Sequence, residues 1–186
     1  NDSNENPYNF AIQGTGALLP EMDVTGNGIS IADGDNTPNS TDETYFGDVP
    51  TSGVTQVHTF KIENYGSADL ILSGSPLVSI SGAHASDFSV TQQPTTPVTS
   101  GNNTSFVITF DPSALGSRTA MVSIANNDSD EDPYTFAIEG TGVSDGTPFS
   151  CISRFYHFYG NGTYAFLNTG SNPFSYNAFG SAGFAI

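Results

Sequence analysis

The 186-residue sequence predicts an all-β protein: an antiparallel β-sandwich with an extra strand at its N-terminus and an aromatic-rich, β-structured extension at its C-terminus. Three observations predict it. Apolar and polar residues alternate over short runs, Gly, Pro, Asn, Asp and Ser punctuate those runs, and no stretch of helical period and length competes with them.

The first element is a repeat. Asn1 to Gly16 reads NDSNENPYNFAIQGTG and Asn127 to Gly142 reads NDSDEDPYTFAIEGTG, twelve identities in sixteen positions at a spacing of 126 residues. The sequence therefore opens on the last strand of one repeat and runs through a whole second one, the mark of a modular array. The copy carries an apolar face, Tyr8, Phe10 and Ile12, while Tyr134, Phe136 and Ile138 already fill that place in the complete module.

The strands of the module come next. His58, Phe60 and Ile62 alternate with Val57, Thr59 and Lys61, and Leu70 and Leu72 flank Ile71. Phe106, Ile108 and Phe110 share one face, as do Ala120, Val122 and Ile124, and then Phe136 and Ile138. A period of two with one face covered, repeated seven or more times in about 120 residues, is the pattern of a sandwich.

The last 44 residues are compositionally separate, with eleven of the 22 aromatics and, of the nineteen acids, only Asp145. Cys151 to Tyr159 and Thr163 to Leu167 bracket Gly160-Asn161-Gly162, a hairpin signal because Asn and Gly tolerate positive φ. Phe174 to Ile186 offers a further strand. The organisation expected is thus a terminal strand over 1–16, a module over 17–142 and an extension over 143–186.

The runs Ile31 to Val49 (IADGDNTPNSTDETYFGDV), His58 to Gly74 (HTFKIENYGSADLILSG) and Phe110 to Gly142 (FDPSALGSRTAMVSIANNDSDEDPYTFAIEGTG) resemble the choice-of-anchor D module, over about Glu21 to Gly142. That module is an immunoglobulin-like sandwich related to Hydin-type and major-sperm-protein-like domains, found mostly in exported bacterial surface proteins. The resemblance implies an immunoglobulin-like fold and an extracellular or cell-surface setting, and it carries over no catalytic residue. The extension departs from the pattern, being neither another copy nor a recognisable sorting domain.

Nineteen acids against three bases give a net charge of -16. Lys61, Arg118 and Arg154 are too few to neutralise phosphates, which disfavours nucleic acid and anionic membranes as partners. No apolar run reaches the roughly 18 residues of a membrane-spanning helix. A secretory signal, for an exported protein, is expected upstream of Asn1. Cys151 is the single cysteine, so no intramolecular disulfide forms.

Candidate chemistry is sparse. Asp33, Asp35, Asp42 and Glu43 cluster in one loop and Asp128, Asp130, Glu131 and Asp132 in another; such oxygen-rich sets suit calcium, though neither has the spacing of a twelve-residue calcium loop. Turn chemistry is the competing reading, because short acids bond their own backbone. Should calcium bind, Asp33, Asp35 and Asp42 are the expected ligands, since their loop is the longer one. No other cofactor is called for. His58, His84 and His157 lack zinc-ligand spacing, and no Gly-x-Ser-x-Gly elbow or nucleophile context surrounds a serine or Cys151. An enzyme is not expected.

The extension's rings, Phe155, Tyr156, Phe158, Tyr164, Phe166, Phe174, Tyr176 and Phe179, are too many for a solvated surface. Together with Tyr8, Phe10 and Ile12 they form the expected assembly interface. The reading is a non-enzymatic extracellular subunit of a filament or surface array, self-associating head to tail by β-strand addition. The alternative is a glycan- or calcium-binding module at the end of a tandem-repeat surface adhesin.

Overall fold

The computed structural model describes Asn4, residues 7–146 and, as backbone alone, residues 156–158 and 164–166. It divides into two units, Asn1–Asp145 and Gly146–Ile186.

The first unit is a sandwich of nine strands: β1 (Met22–Gly26), β2 (Ile29–Ile31), β3 (Tyr45–Pro50), β4 (Gln56–Asn64), β5 (Ser79–Ser81), β6 (Phe88–Gln92), β7 (Asn103–Phe110), β8 (Gly116–Ile124) and β9 (Tyr134–Val143). One sheet has the order β2-β1-β4-β7-β6 and the other β3-β9-β8-β5. The alternation in the sequence becomes alternation of burial: Phe60, Ile62 and Asn64 of β4 point inward, and β9 alternates buried and half-buried along all its length. Between β1 and β2 the turn is Asn27-Gly28, both at positive φ (52° and 75°), the two-residue hairpin whose twist matches its strands.

Three features depart from the sequence expectation. The second sheet is mixed, because β3 pairs parallel with β9 and leaves β9 an interior strand. Leu70 and Leu72 are buried core residues, yet only Leu70 makes a bridge, to Val98, since that segment crosses from one sheet to the other. No strand forms over residues 7–20, so the extra N-terminal strand has no ladder here. Its place in the module is filled by β9.

The core is built on six phenylalanines. Phe60 and Phe106 stack at 5.3 Å and Phe88 and Phe110 at 4.7 Å within the first sheet, while Phe46 of β3 meets the edge of Phe88 at 5.6 Å and Phe136 of β9 lies 5.7 Å from Phe60. Burying each ring contributes roughly 1.5–3 kcal/mol, and the pairs across the gap set how the sheets face each other.

One ion pair is buried with them. The Asp87 carboxylate, its side chain 1% exposed, accepts from Arg118 Nε at 2.5 Å and from Ser113 N at 3.2 Å. Burial by itself raises the pKa of this carboxyl, but the hydrogen bonds from Arg118 and Ser113 outweigh it and hold the group below its ordinary value. A group lowered in this way stabilises the fold above its unfolded pKa, and that contribution is lost as pH falls through the folded value. Arg118→Ala leaves the carboxylate buried and unpaired, so denaturant unfolding at pH 7 is expected to show a loss of about 3 kcal/mol. The gap between variant and parent should narrow in acid, where Asp87 is protonated in both.

Candidate functional site

The most demanding position in the sandwich is the slot that β9 occupies between β3 and β8. Its inward residues are Tyr134, Phe136, Ile138, Gly140 and Gly142, all buried. The two glycines are steric requirements: a Cβ on Gly140 would lie 2.3 Å from the Phe110 ring, and one on Gly142 2.0 Å from the Ala114 carbonyl oxygen. At the other end the Tyr134 hydroxyl donates to the Ile31 carbonyl, and burial raises its pKa. Thr135 N donates to Asp33 Oδ1 at 2.6 Å, and the loop before β9 is tied by Asp132 Oδ1, which accepts from Asn126 N at 3.0 Å.

The N-terminal copy lacks any such slot. Tyr8, Phe10 and Ile12 are 75%, 71% and 84% exposed, and nothing lies within 4 Å of the Cβ positions of Gly14 and Gly16. The chain then docks on the sandwich through a strap: the Leu19 carbonyl accepts from Ser67 N and Ala68 N, and the Glu21 carbonyl from Tyr65 N. Buried Asn64 organises that turn, accepting from Glu21 N and Gly66 N and donating to the Ala68 and Val98 carbonyls. Gly66 lets the strap approach, since its Cβ would meet the Leu19 oxygen at 2.4 Å.

The calcium candidates are engaged locally. Asp33 accepts from Thr135, Asp35 Oδ1 from the Thr37 backbone and hydroxyl at 2.9 and 2.6 Å, and Asp42 from Thr44 and from Asn39 Nδ2 at 2.7 Å. The structure does not bring the three together. Among the described residues, the group of carboxylates whose oxygens converge within 4.8 Å is Asp128, Asp130 and Glu131 of the β8–β9 loop. Asp128 Oδ2 accepts from Met22 N at 2.7 Å, whereas Glu131 Oε2 is buried without a hydrogen-bond partner. Burial, then the neighbouring Asp128, Asp130 and Glu21 carboxylates, push Glu131 up to about 7.

His58 and His84 hold structure. His58 stacks on Phe46 at 4.2 Å with Nδ1 at 2.7 Å from the Glu43 carbonyl, and His84 Nδ1 accepts from Thr119 N at 2.9 Å. In the second unit Tyr156–Phe158 (β10) and Tyr164–Phe166 (β11) pair antiparallel, with Tyr156 opposite Phe166 and Phe158 opposite Tyr164. This is the hairpin read from Gly160-Asn161-Gly162. Cys151, Phe155, Phe174, Tyr176 and Phe179 lie outside the described residues.

Sequence reasoning missed the requirement for Gly140 and Gly142, the Asn64 anchor and the buried, unbonded Oε2 of Glu131. The one available signal for the glycines was their retention as Gly14 and Gly16 in the copy.

A family model of the HYDIN/CFA65/VesB-like, Ig-like domain matches residues 40–141. No curated protein matches the chain. Among solved structures, a protein of unknown function from Porphyromonas gingivalis is similar at a TM-score of 0.47 and 19% identity, covering 68% of this chain and 49% of that one. The chain thus spans about half the length of that protein. The ASH/PapD-like domain of human CEP192 gives 0.40 and 15%, over 73% and 94% of the two chains. The secreted serine protease VesC from Vibrio cholerae gives 0.41 and 14%, over 53% and 21%.

Two outcomes are expected. A carboxyl raised in the fold stabilises it fully below its ordinary value of 4.5 and ceases to as pH rises through about 7. The melting temperature of Glu131→Gln should therefore exceed that of the parent at pH 8, with the difference closing toward pH 4. Gly140→Ala should lower stability by about 1–3 kcal/mol through overpacking on Phe110, whereas Gly14→Ala should leave the melting of the sandwich unchanged.

Proposed function

The chain belongs to the HYDIN/CFA65/VesB-like, Ig-like domain family, and from that membership we propose that it is a non-catalytic structural module of an extracellular or cell-surface array, joined head to tail through strand addition. One observation carries the reading: a segment with the face of an interior strand, Tyr8, Phe10 and Ile12, stands exposed beside a sandwich that has no vacancy for it. Three large side chains exposed on one extended segment form an apolar face that invites a partner. Pairing its backbone with a sheet of another sandwich would bury that face and satisfy its amides together.

The surface setting follows from the choice-of-anchor D resemblance and suits a net charge of -16, which keeps modules soluble and apart until a specific contact forms. The extension supports the same reading, being rich in aromatics and holding an antiparallel pair of short strands, β10 and β11. A two-stranded hairpin is marginal alone in water, so a partner chain is its natural complement.

Deletion of residues 1–16 is expected to leave the melting of the sandwich unchanged and to abolish assembly, as read by sedimentation and electron microscopy. Polymers that survive the deletion would refute strand addition through this segment. A cut after Asp145, beyond the end of β9, combined with deletion of residues 1–16 should give a soluble monomeric sandwich. A full-length protein that stays monomeric, with tyrosine fluorescence that responds to glycans, would favour the adhesin reading instead.

A further inference from the structure

Asn1–Gly16 keeps every residue that β9 needs to sit in its slot. The inward positions Tyr134, Phe136, Ile138, Gly140 and Gly142 recur as Tyr8, Phe10, Ile12, Gly14 and Gly16. Glycine at 140 answers to the Phe110 ring and glycine at 142 to Ala114 and Pro112, yet Gly14 and Gly16 are kept where nothing lies within 4 Å of their Cβ positions. The four differences, Asn4 for Asp130, Asn6 for Asp132, Asn9 for Thr135 and Gln13 for Glu139, all match positions that are not buried. Apart from the Thr135 hydroxyl's bond to Asp33 Oδ1 at 3.2 Å, they also allow the bonds made there. Asp132 Oδ1 accepts from Asn126 N and Glu139 Oε1 from Ser117 Oγ, and an amide oxygen serves in each place; Thr135 gives Asp33 its backbone N–H, which Asn9 retains.

The segment cannot take this slot in its own sandwich, even an empty one. The strap at Leu19–Glu21 is bonded to residues 65–68, just past the Asn64 end of β4. Gly140 lies over Phe110, which pairs with Gln56 at the opposite end of β4. Those ends are eight residues apart, about 26 Å at ~3.3 Å per residue. From Leu19 the chain reaches Gly16 in three steps, about 11 Å at most. The position equivalent to Gly142 is therefore out of reach.

We infer that Asn1–Gly16 is a strand of the β9 type that seats between the β3 and β8 strands of a second sandwich of this same build, never in the sandwich that follows it, in the place that Tyr134–Val143 holds here. The inference rests on the strand-addition reading and names its receiver: an interior slot, parallel to one neighbour and antiparallel to the other, in place of a free sheet edge. The apolar face is then covered on the side where Phe60 and Phe110 cover it in β9.

Two variants of the full chain test it. In the first, Asp130→Asn, Asp132→Asn, Thr135→Asn and Glu139→Gln together make β9 identical to the N-terminal segment. Cooperative melting within about 2–4 °C of the parent is expected, as for substitutions away from the core. In the second, Phe136→Asp with Gly140→Leu disables β9. This chain should melt cooperatively with a midpoint that rises with protein concentration, by mass action, and should sediment as a dimer or larger; adding Phe10→Asp should abolish both. Loss of cooperative melting in the first variant, or identical behaviour of the second with and without Phe10→Asp, overturns the slot assignment. Strand addition itself stands in that event if deletion of residues 1–16 still abolishes assembly, with a free edge as receiver, and it falls if assembly persists.

Discussion

The whole sandwich depends on one close approach, that of the β9 backbone to Phe110. Phe110 stacks on Phe88 and lies 5.9 Å from Phe46, so it joins β6, β7 and β3 in a single aromatic cluster. Its ring fills the space where a side chain at position 140 would stand. Large and small residues are thus interlocked across the gap between the sheets, and a methyl group on β9 would have to displace a ring that three other strands hold. Close packing of this kind makes interiors intolerant of added volume. It also makes the strand recognisable: a segment that keeps Gly at both positions, beside Tyr, Phe and Ile, carries the negative image of this particular core.

Polar groups follow an equally tight economy of placement. Asn64 satisfies four partners from a buried position, and Asn126 ties the β8–β9 loop by accepting from Asp128 N and donating to the Ile124 and Glu131 carbonyls. The acids at 33, 35 and 42 serve as caps for backbone amides and hydroxyls, as short acidic side chains do in turns. Among the described residues, Glu131 is the one set among like charges with a buried oxygen unbonded, and the neutral carboxyl is the form this environment favours.

The module has a direction. Its N-terminal strap docks at the Asn64 end of the first sheet, and β9 leaves the second sheet past Gly142, at the end marked by Phe110 and Gln56. Under the proposed strand addition, a donor at one pole and the closing strand's exit at the other would make each contact heterologous, the arrangement that propagates in a line.

The sequence by itself determined the strands, because a period of two and a covered face are properties of adjacent residues: Phe106, Ile108 and Phe110, or Tyr134, Phe136 and Ile138, are legible without coordinates. It determined the duplicate as well, since identity at twelve of sixteen positions is a matter of spelling. Only the tertiary structure decided that β3 runs parallel to β9, that Leu70 and Leu72 are core without being strand, and that Asp128, Asp130 and Glu131 converge while Asp33, Asp35 and Asp42 do not. Most of these turn on which distant segments become neighbours, as Asp33 meets Thr135 across more than a hundred residues. The meaning of Gly14 and Gly16 lies on the same boundary. Both glycines stand in the sequence, but the reason for them is a phenylalanine ring and a carbonyl oxygen that only folding places opposite.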